Sequence, residues 1–316
     1  MEKQATEESV VCDHWNWPES SDFDFFRRLF GERPFQFELG LKRTKRDWFH
    51  LPKNQEIAVL RDRASLICGN HPGSVFWTPL ADPVFSELTE RFGSIQPSST
   101  GAIAAAELSQ RWPPDFILLH RDGNGEFRMV GGAVCFPSGW APEEKLGLPI
   151  SQIHEPVPTL NRMLGDRIQS FLGRLSSQDS FDRLNWGLAP QAERNRHPLA
   201  QVASFTSDFP LEKAWLRVEH QSFHALPRTN GIAFLIHLTI HSVGQLLGDR
   251  EITSGLLRQL QSMSEEVARY KGLAKVRESW VRWLIFHQDS LNQSVKGSES
   301  PFDTIHQTTD GDKNAD

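Results

Sequence analysis

One histidine of this chain is set apart by its neighbours. His154 lies in CFPSGWAPEEKLGLPISQIHEPVP, residues 135–158, a stretch interrupted by five prolines. Each proline fixes φ and removes a backbone donor, so the stretch is expected to be neither helix nor strand but a long ordered loop. Such loops carry function more often than they serve as idle connections, although a plain surface crossover has the same composition. Rigid backbone on both sides holds a side chain at small entropic cost, which suits a catalytic or metal-ligating group. A single histidine is enough for an iron whose other donors come from a porphyrin. Taken without context, it reads first as an ordinary loop residue.

Two further pairs of histidines stand four residues apart. In GIAFLIHLTIH the β-branched run favours a strand, which puts His237 and His241 on one sheet face about 13 Å apart, too far to share a small ion. They read as polar residues on a strand face, or as part of a pocket lining. In RVEHQSFHALPR, His220 and His224 share a strand face with Arg217 and Arg228 nearby. That group would suit an anionic ligand, or form a solvated face. Signatures of nucleotide binding, HExxH metalloproteases and GxSxG hydrolases are missing.

The net charge of −6 and pI near 6.1 argue against a nucleic-acid partner. Three scattered cysteines, Cys12, Cys68 and Cys135, make neither a disulfide framework nor a thiolate metal site, and fit a reducing, cytoplasmic setting. No apolar run approaches the roughly 18 residues of a membrane span, and the first residues lack the order of a signal peptide. Ten Trp and 21 Phe against one Tyr supply core, and would also suit a flat apolar pocket.

The elements that must position His154 follow from the hydrophobic pattern. NQEIAVLRDRASLIC, DPVFSELTERFG (with Asp82 as its cap) and GAIAAAELSQRW predict three helices. DFILLHRDGNGEFRMVGGAVCF reads as a hairpin, TLNRMLGDRIQSFLGRL as a helix, and LNWGLAP, WLRVEHQSFHALP and GIAFLIHLTIHSV as strands. PFQFELGLKRTKRDWFHL is expected to be a short extended segment, and LLRQLQSMSEEVARYKGL and KVRESWVRWLIFHQD to be helical. The fold class is therefore α+β, an antiparallel sheet with flanking helices. One domain is expected over residues 23–292, between disordered tails at 1–22 and 293–316.

The stretch FPSGWAPEEKLGLPISQIHEPVP resembles the central signature of the haem-dependent oxidative N-demethylase family. LGLKRTKRDWFHL, DFILLHRDGNGEFRMVGGAVCFPSGW, RLNWGL, RVEHQSFHALPRTNGIAFLI and SMSEEVARYKG follow the family order, so the likeness runs from about residue 35 to 287. It implies a PAS-like fold holding haem b, with O₂ as co-substrate and oxidation of an amine or another small organic molecule. Electrons would come from NADPH through a flavin and iron–sulfur reductase partner. By position, His154 is the implied axial ligand. Lys145, Arg183, Arg217 and Arg228 are implied contacts to propionates or substrate, and Trp140 and Trp186 implied pocket walls. The pattern departs from the family where arginines are usual and this chain has His220 and Ala225, which implies a lost anionic or folate contact and a bulkier substrate than dimethylamine. With no CxxCH motif, any haem would be non-covalent. A haem-based gas or redox sensor and a haem-less binding subunit are the competing readings.

Overall fold

The two longest apolar stretches become the two longest strands. In the computed structural model, which describes residues 22–44, 53–69, 71, 73–92, 97–176 and 180–296, the elements run in chain order as follows. The first half comprises α1 (Phe23–Phe30), β1 (Lys42–Thr44), α2 (Lys53–Cys68), β2 (Val75–Trp77), α3 (Ala81–Arg91), α4 (Gly101–Ser109), β3 (Asp115–Arg121), β4 (Phe127–Ala133) and α5 (Ile150–Ile153). The second comprises α6 (Leu160–Arg174), β5 (Ser180–Ala189), β6 (Trp215–Leu226), β7 (Gly231–Ser242), α7 (Val243–Leu246), α8 (Arg250–Ser262), α9 (Glu265–Tyr270) and α10 (Arg277–Lys296). The strands form one sheet in the order β1-β5-β6-β7-β3-β4-β2, with every neighbouring pair antiparallel. The molecule is an α+β protein.

Strand alternation divides β5–β7 into two unlike faces. On β6, Leu216, Val218, His220, Ser222 and His224 are buried, while Glu219, Gln221 and Phe223 between them are half-buried. The even-numbered side is closed. Phe25, Phe26 and Phe30 of α1 join α8 and α10 over Leu216 and Val218, and α3 and α4 pack over Leu118, Ala233 and Leu235. The other side carries α5, α6 and the residue 135–158 loop over Ile117, Met129 and Ile232, with α2 over Leu238. Because both faces of β7 meet cover, its sequence is nearly continuous in apolar residues.

Several local expectations change. α1 is only two turns long, too short for periodicity to mark, yet its three phenylalanines enter the core and Asp22 caps it by accepting from the Phe25 N–H (3.0 Å). Leu80, not Asp82, occupies the N-cap of α3; Asp82 lies inside the first turn and accepts instead from Trp77 Nε1 (2.9 Å). The C-terminal helical stretch breaks at Ser264, whose hydroxyl caps α9, so SMSEEVARYKG contains a helix boundary. Of the first extended segment only Lys42–Thr44 is strand, and residues 45–50 lie outside the described part, as do 1–21 and 297–316 of the two expected tails. α10 continues to Lys296. No helix among the described residues is long and apolar enough to cross a membrane.

Candidate functional site

The loop that carries His154 is not free of secondary structure. It folds a 3-10 turn over Glu143–Lys145 and one α-helical turn, α5, between its prolines. Pro149 opens α5 where a missing N–H costs nothing, and His154 closes it. The His154 N–H bonds to the Ile150 carbonyl and its own carbonyl takes the Val157 N–H, both at 3.0 Å. The imidazole is therefore presented by backbone that is hydrogen-bonded on both sides.

Four anchors hold the loop against the sheet. Gly147 donates to Met129 O (2.7 Å) and Met129 donates back to Leu148 O (3.1 Å), a junction that needs φ of +80° at Gly147. Asp115, buried at the start of β3, accepts from the N–H groups of Cys135 (2.7 Å) and Phe136 (3.1 Å) and pairs with the equally buried Arg63 (2.5 Å). Arg217 reaches the carbonyls of Glu193 (2.8 Å) and Arg194 (3.0 Å) and the Ser138 hydroxyl (3.2 Å), so one guanidinium ties this loop to the segment after β5. His197 Nε2 meets both oxygens of Glu143 (3.0 and 3.2 Å) while its Nδ1 accepts from Leu199, which fixes the proton on Nε2.

Beneath the loop lies the half-open side of β5–β7. His154 Nδ1 is shut off from solvent and has no hydrogen-bond partner among the described residues. Burial, and then the charge of Arg183, hold its imidazole pKa down to about 4. It is thus neutral near pH 7, the form that ligates a metal. Arg183 Nε is likewise buried without a partner, and burial lowers that guanidinium's pKa against the opposing pull of Glu219. Glu219 accepts from Ser138 Oγ (2.6 Å), Asn185 Nδ2 (3.1 Å) and Gln221 Nε2 (2.8 Å), all neutral donors, and makes no direct ion pair among the described residues. Phe223, Phe234 and Ile236 continue this face as half-buried apolar surface, with Trp140 and Ile153 packed against the same cluster. At the margin, Lys271 donates to Trp186 O (2.8 Å), and burial pushes its pKa down to about 8.

The expected site residues separate into two groups. His154, Arg183 and Trp140 meet on the open side, and Lys145 is half-buried at the end of the turn that Glu143 anchors. Arg217 shares that side but is spent on loop carbonyls. Trp186 is an even-numbered β5 residue, so it faces the closed side and packs on Phe30 (5.2 Å between centroids) rather than walling the pocket. Arg228 sits in the turn between β6 and β7, 60% exposed, paired with Glu90 at 2.5 Å. His220 and His224 do not form a solvated face. They are buried on the closed side with His237 and His241. The missing arginine at 220 therefore leaves the open side untouched, and Ala225 is buried in the same strand. The sequence reading passed over Glu219 and Lys271. The signal for Glu219 was the alternation in RVEHQSF, which sets Arg217, Glu219 and Gln221 on one side.

This is an α+β protein whose sheet is closed on one side and, on the other, offers a lone neutral imidazole above a partly open, mixed apolar and charged floor. A family model described as haem-dependent oxidative N-demethylase, alpha subunit-like, matches residues 83–281. That is more than half of the chain, and the chain belongs to this family. The family's name carries haem dependence and the place of one subunit in an assembly. The residues present fit such a cofactor: an orphaned neutral imidazole, a flat apolar floor, and an unpartnered guanidinium for an anionic edge.

Proposed function

We propose that the protein is a haem-b oxidase that uses O₂ to oxidise a small amine. The observation that carries this is the pairing of an unpartnered, neutral His154 with the half-open floor of β5–β7. His154 would hold the iron, with Arg183 and Lys145 the candidate partners of the propionates. Haem, when bound, supplies the activation of O₂ and the oxidation of a C–H bond beside nitrogen. The chain's own residues do the rest. Trp140, Phe223, Phe234 and Ile236 exclude water from the floor. Glu219, held by three neutral donors and left without a direct counter-ion, is a preorganised seat for the cation of a protonated amine. Arg217 and the Glu143–His197 pair fix the loop's position. NADPH-derived electrons would reach the site through a separate flavin and iron–sulfur reductase, and the name's alpha subunit fits such a division of labour. A cytoplasmic, PAS-like enzyme is the context in which we place it.

Purification with haem precursor supplied should give a Soret band, and acid–organic solvent should extract the haem. His154→Ala should lose most of it at an unchanged unfolding midpoint, because only a side chain is removed from a turn kept by its prolines. Formaldehyde release and O₂ uptake on N-methylated amines, with a generic flavin reductase and ferredoxin as donors, test the chemistry. Protein that never acquires a Soret band would sink the proposal.

A further inference from the structure

Arg183 and Glu219 stand on the diagonal of one small square on the open side of the sheet. In the β5–β6 register Arg183 is opposite Gln221, and Asn185 is opposite Glu219. Diagonal neighbours on one sheet face lie roughly 7–8 Å apart, within reach of two long side chains of opposite charge. Such a placement favours a direct ion pair, yet none forms. Glu219 accepts from Ser138 Oγ (2.6 Å) at one oxygen and from Asn185 Nδ2 (3.1 Å) and Gln221 Nε2 (2.8 Å) at the other. The two remaining corners of the square therefore hold the carboxylate. Arg183 makes no hydrogen bond or ion pair among the described residues, and its Nε is shut off from solvent. The other cations nearby are engaged elsewhere. Arg217 donates to the carbonyls of Glu193 (2.8 Å) and Arg194 (3.0 Å) and reaches Glu219 only through the Ser138 hydroxyl, to which it donates (3.2 Å). Lys271 donates to Trp186 O (2.8 Å). On the β7 side of the square, Ile236 stands opposite Gln221 as apolar surface.

From this arrangement we infer that the site takes a zwitterion, with its ammonium on Glu219 and its carboxylate on Arg183, so that the substrate is an N-methylated amino acid and not a plain amine. The inference rests on reading Glu219 as a cation seat. It assigns Arg183 to the substrate and leaves Lys145 as the partner of a haem propionate. The physics is that of two charges kept apart. A buried guanidinium nitrogen without an acceptor is costly, and a ligand carboxylate supplies the acceptor that the fold withholds. Glu219 is held by neutral donors, so its charge stays available to an ammonium. A plain amine would answer only one of the two charges. A zwitterion answers both and adds no net charge, while its N-methyl groups meet Ile236.

The test removes one ligand charge at a time. N,N-dimethylglycine carries both charges. In N,N-dimethylethanolamine a neutral hydroxymethyl group replaces the carboxylate, and in 3-methylbutanoate a CH replaces the protonated nitrogen. Affinities of the three for the full-length protein, with and without haem, are measured by calorimetry at about pH 7. Dimethylglycine should bind about tenfold tighter than either analogue. Arg183→Met keeps an apolar stem and should bring dimethylglycine down to the level of dimethylethanolamine, whose own affinity should not fall. Glu219→Gln should bring it down to the level of 3-methylbutanoate. Arg183→Lys keeps a cation and should keep dimethylglycine ahead of both analogues. Dimethylglycine binding no tighter than either analogue would overturn the inference, as would an Arg183→Met variant that weakens all three ligands alike. An Arg183→Met variant that loses the Soret band but keeps its dimethylglycine affinity in haem-free protein would give Arg183 to the haem and overturn it too. A Soret band missing from every sample would overturn the oxidase reading alone, since the affinities are also read in haem-free protein.

Discussion

The two sides of β6 differ as much as two proteins. On one, Leu216, Val218, His220, Ser222 and His224 lie under α1, α3, α8 and α10, and even the histidines are treated as core. On the other, Arg217 and Glu219 bond to the residue 135–158 loop at Ser138, and Phe223 packs against α6. His224 shows the closed side's terms: it is fully buried, its nitrogens bond to Ser180 (3.0 Å) and Ser222 (3.1 Å), and burial lowers its pKa to about 3. His241 is shut in against Phe26, with ring centroids 4.8 Å apart and its pKa lowered by burial to about 4. His224 and His241 are thus packed as core. Among the described residues, His154 sets a neutral ring against the half-buried side of the sheet. The lesson is that histidine count says little, and strand parity says which side a residue serves.

The sharpest way to break this comparison is to place one charge on each side. His220→Arg inserts a guanidinium into the buried side beside Phe25 and should cost about 3–5 kcal/mol of stability. Gln221→Arg, one residue along, lands on the open side beside Glu219 and should stay within about 0.5 kcal/mol. Urea unfolding of the two variants measures the difference. Equal losses would mean that the two faces are not distinct.

A somewhat smaller effect probes what holds the loop over the open side. Asp115→Ala strips the partner from buried Arg63 and from the N–H groups of Cys135 and Phe136, and should cost about 3 kcal/mol. Amide exchange should quicken across residues 135–158 more than across β6 and β7. Uniform quickening would show that the anchor serves the whole fold and not the loop in particular.

Per pH unit, the mildest test titrates the closed side. His224 and His241 stay neutral in the fold down to about pH 3 and 4, whereas an unfolded histidine takes its proton near pH 6.5. Below about pH 6.5 the unfolded chain binds more protons than the native one. Stability contributed by each is therefore complete above that pH and falls as pH drops toward 4, by about 1.4 kcal/mol per pH unit for each. His241→Phe, which keeps a ring against Phe26, should remove one histidine's share of that slope. An unchanged slope would place the proton uptake elsewhere.

Much of the fold was legible because it is written in periodicity. The long strands, the Asp-Gly-Asn-Gly hairpin and α6 announce themselves in alternation, turn residues and a repeating apolar stripe. α1 did not, since eight residues hold too few repeats, and the stop at Ser264 was hidden inside a run that reads as helical on both sides. Of the candidate site, the unusual proline spacing drew attention to His154, whose ring nitrogen the fold buries. What the sequence could not carry was the side on which each neighbour lies. Trp186 and Arg228 stand beside promising motifs in the chain, yet one turns into the core and the other points out at Glu90. Glu219 joins Ser138 and Asn185 only through the fold, at a separation in sequence that no local pattern spans.

The bond from Lys271 to the Trp186 carbonyl has another consequence. β1 pairs with β5 only at residues 180–182, so beyond that point β5 is the border of the sheet. A border strand presents main-chain donors and acceptors that a second molecule can adopt as a template for its own strand. Lys271 occupies one of those acceptors and brings a charge to the border. A charge held at that position disfavours the docking of a second strand there.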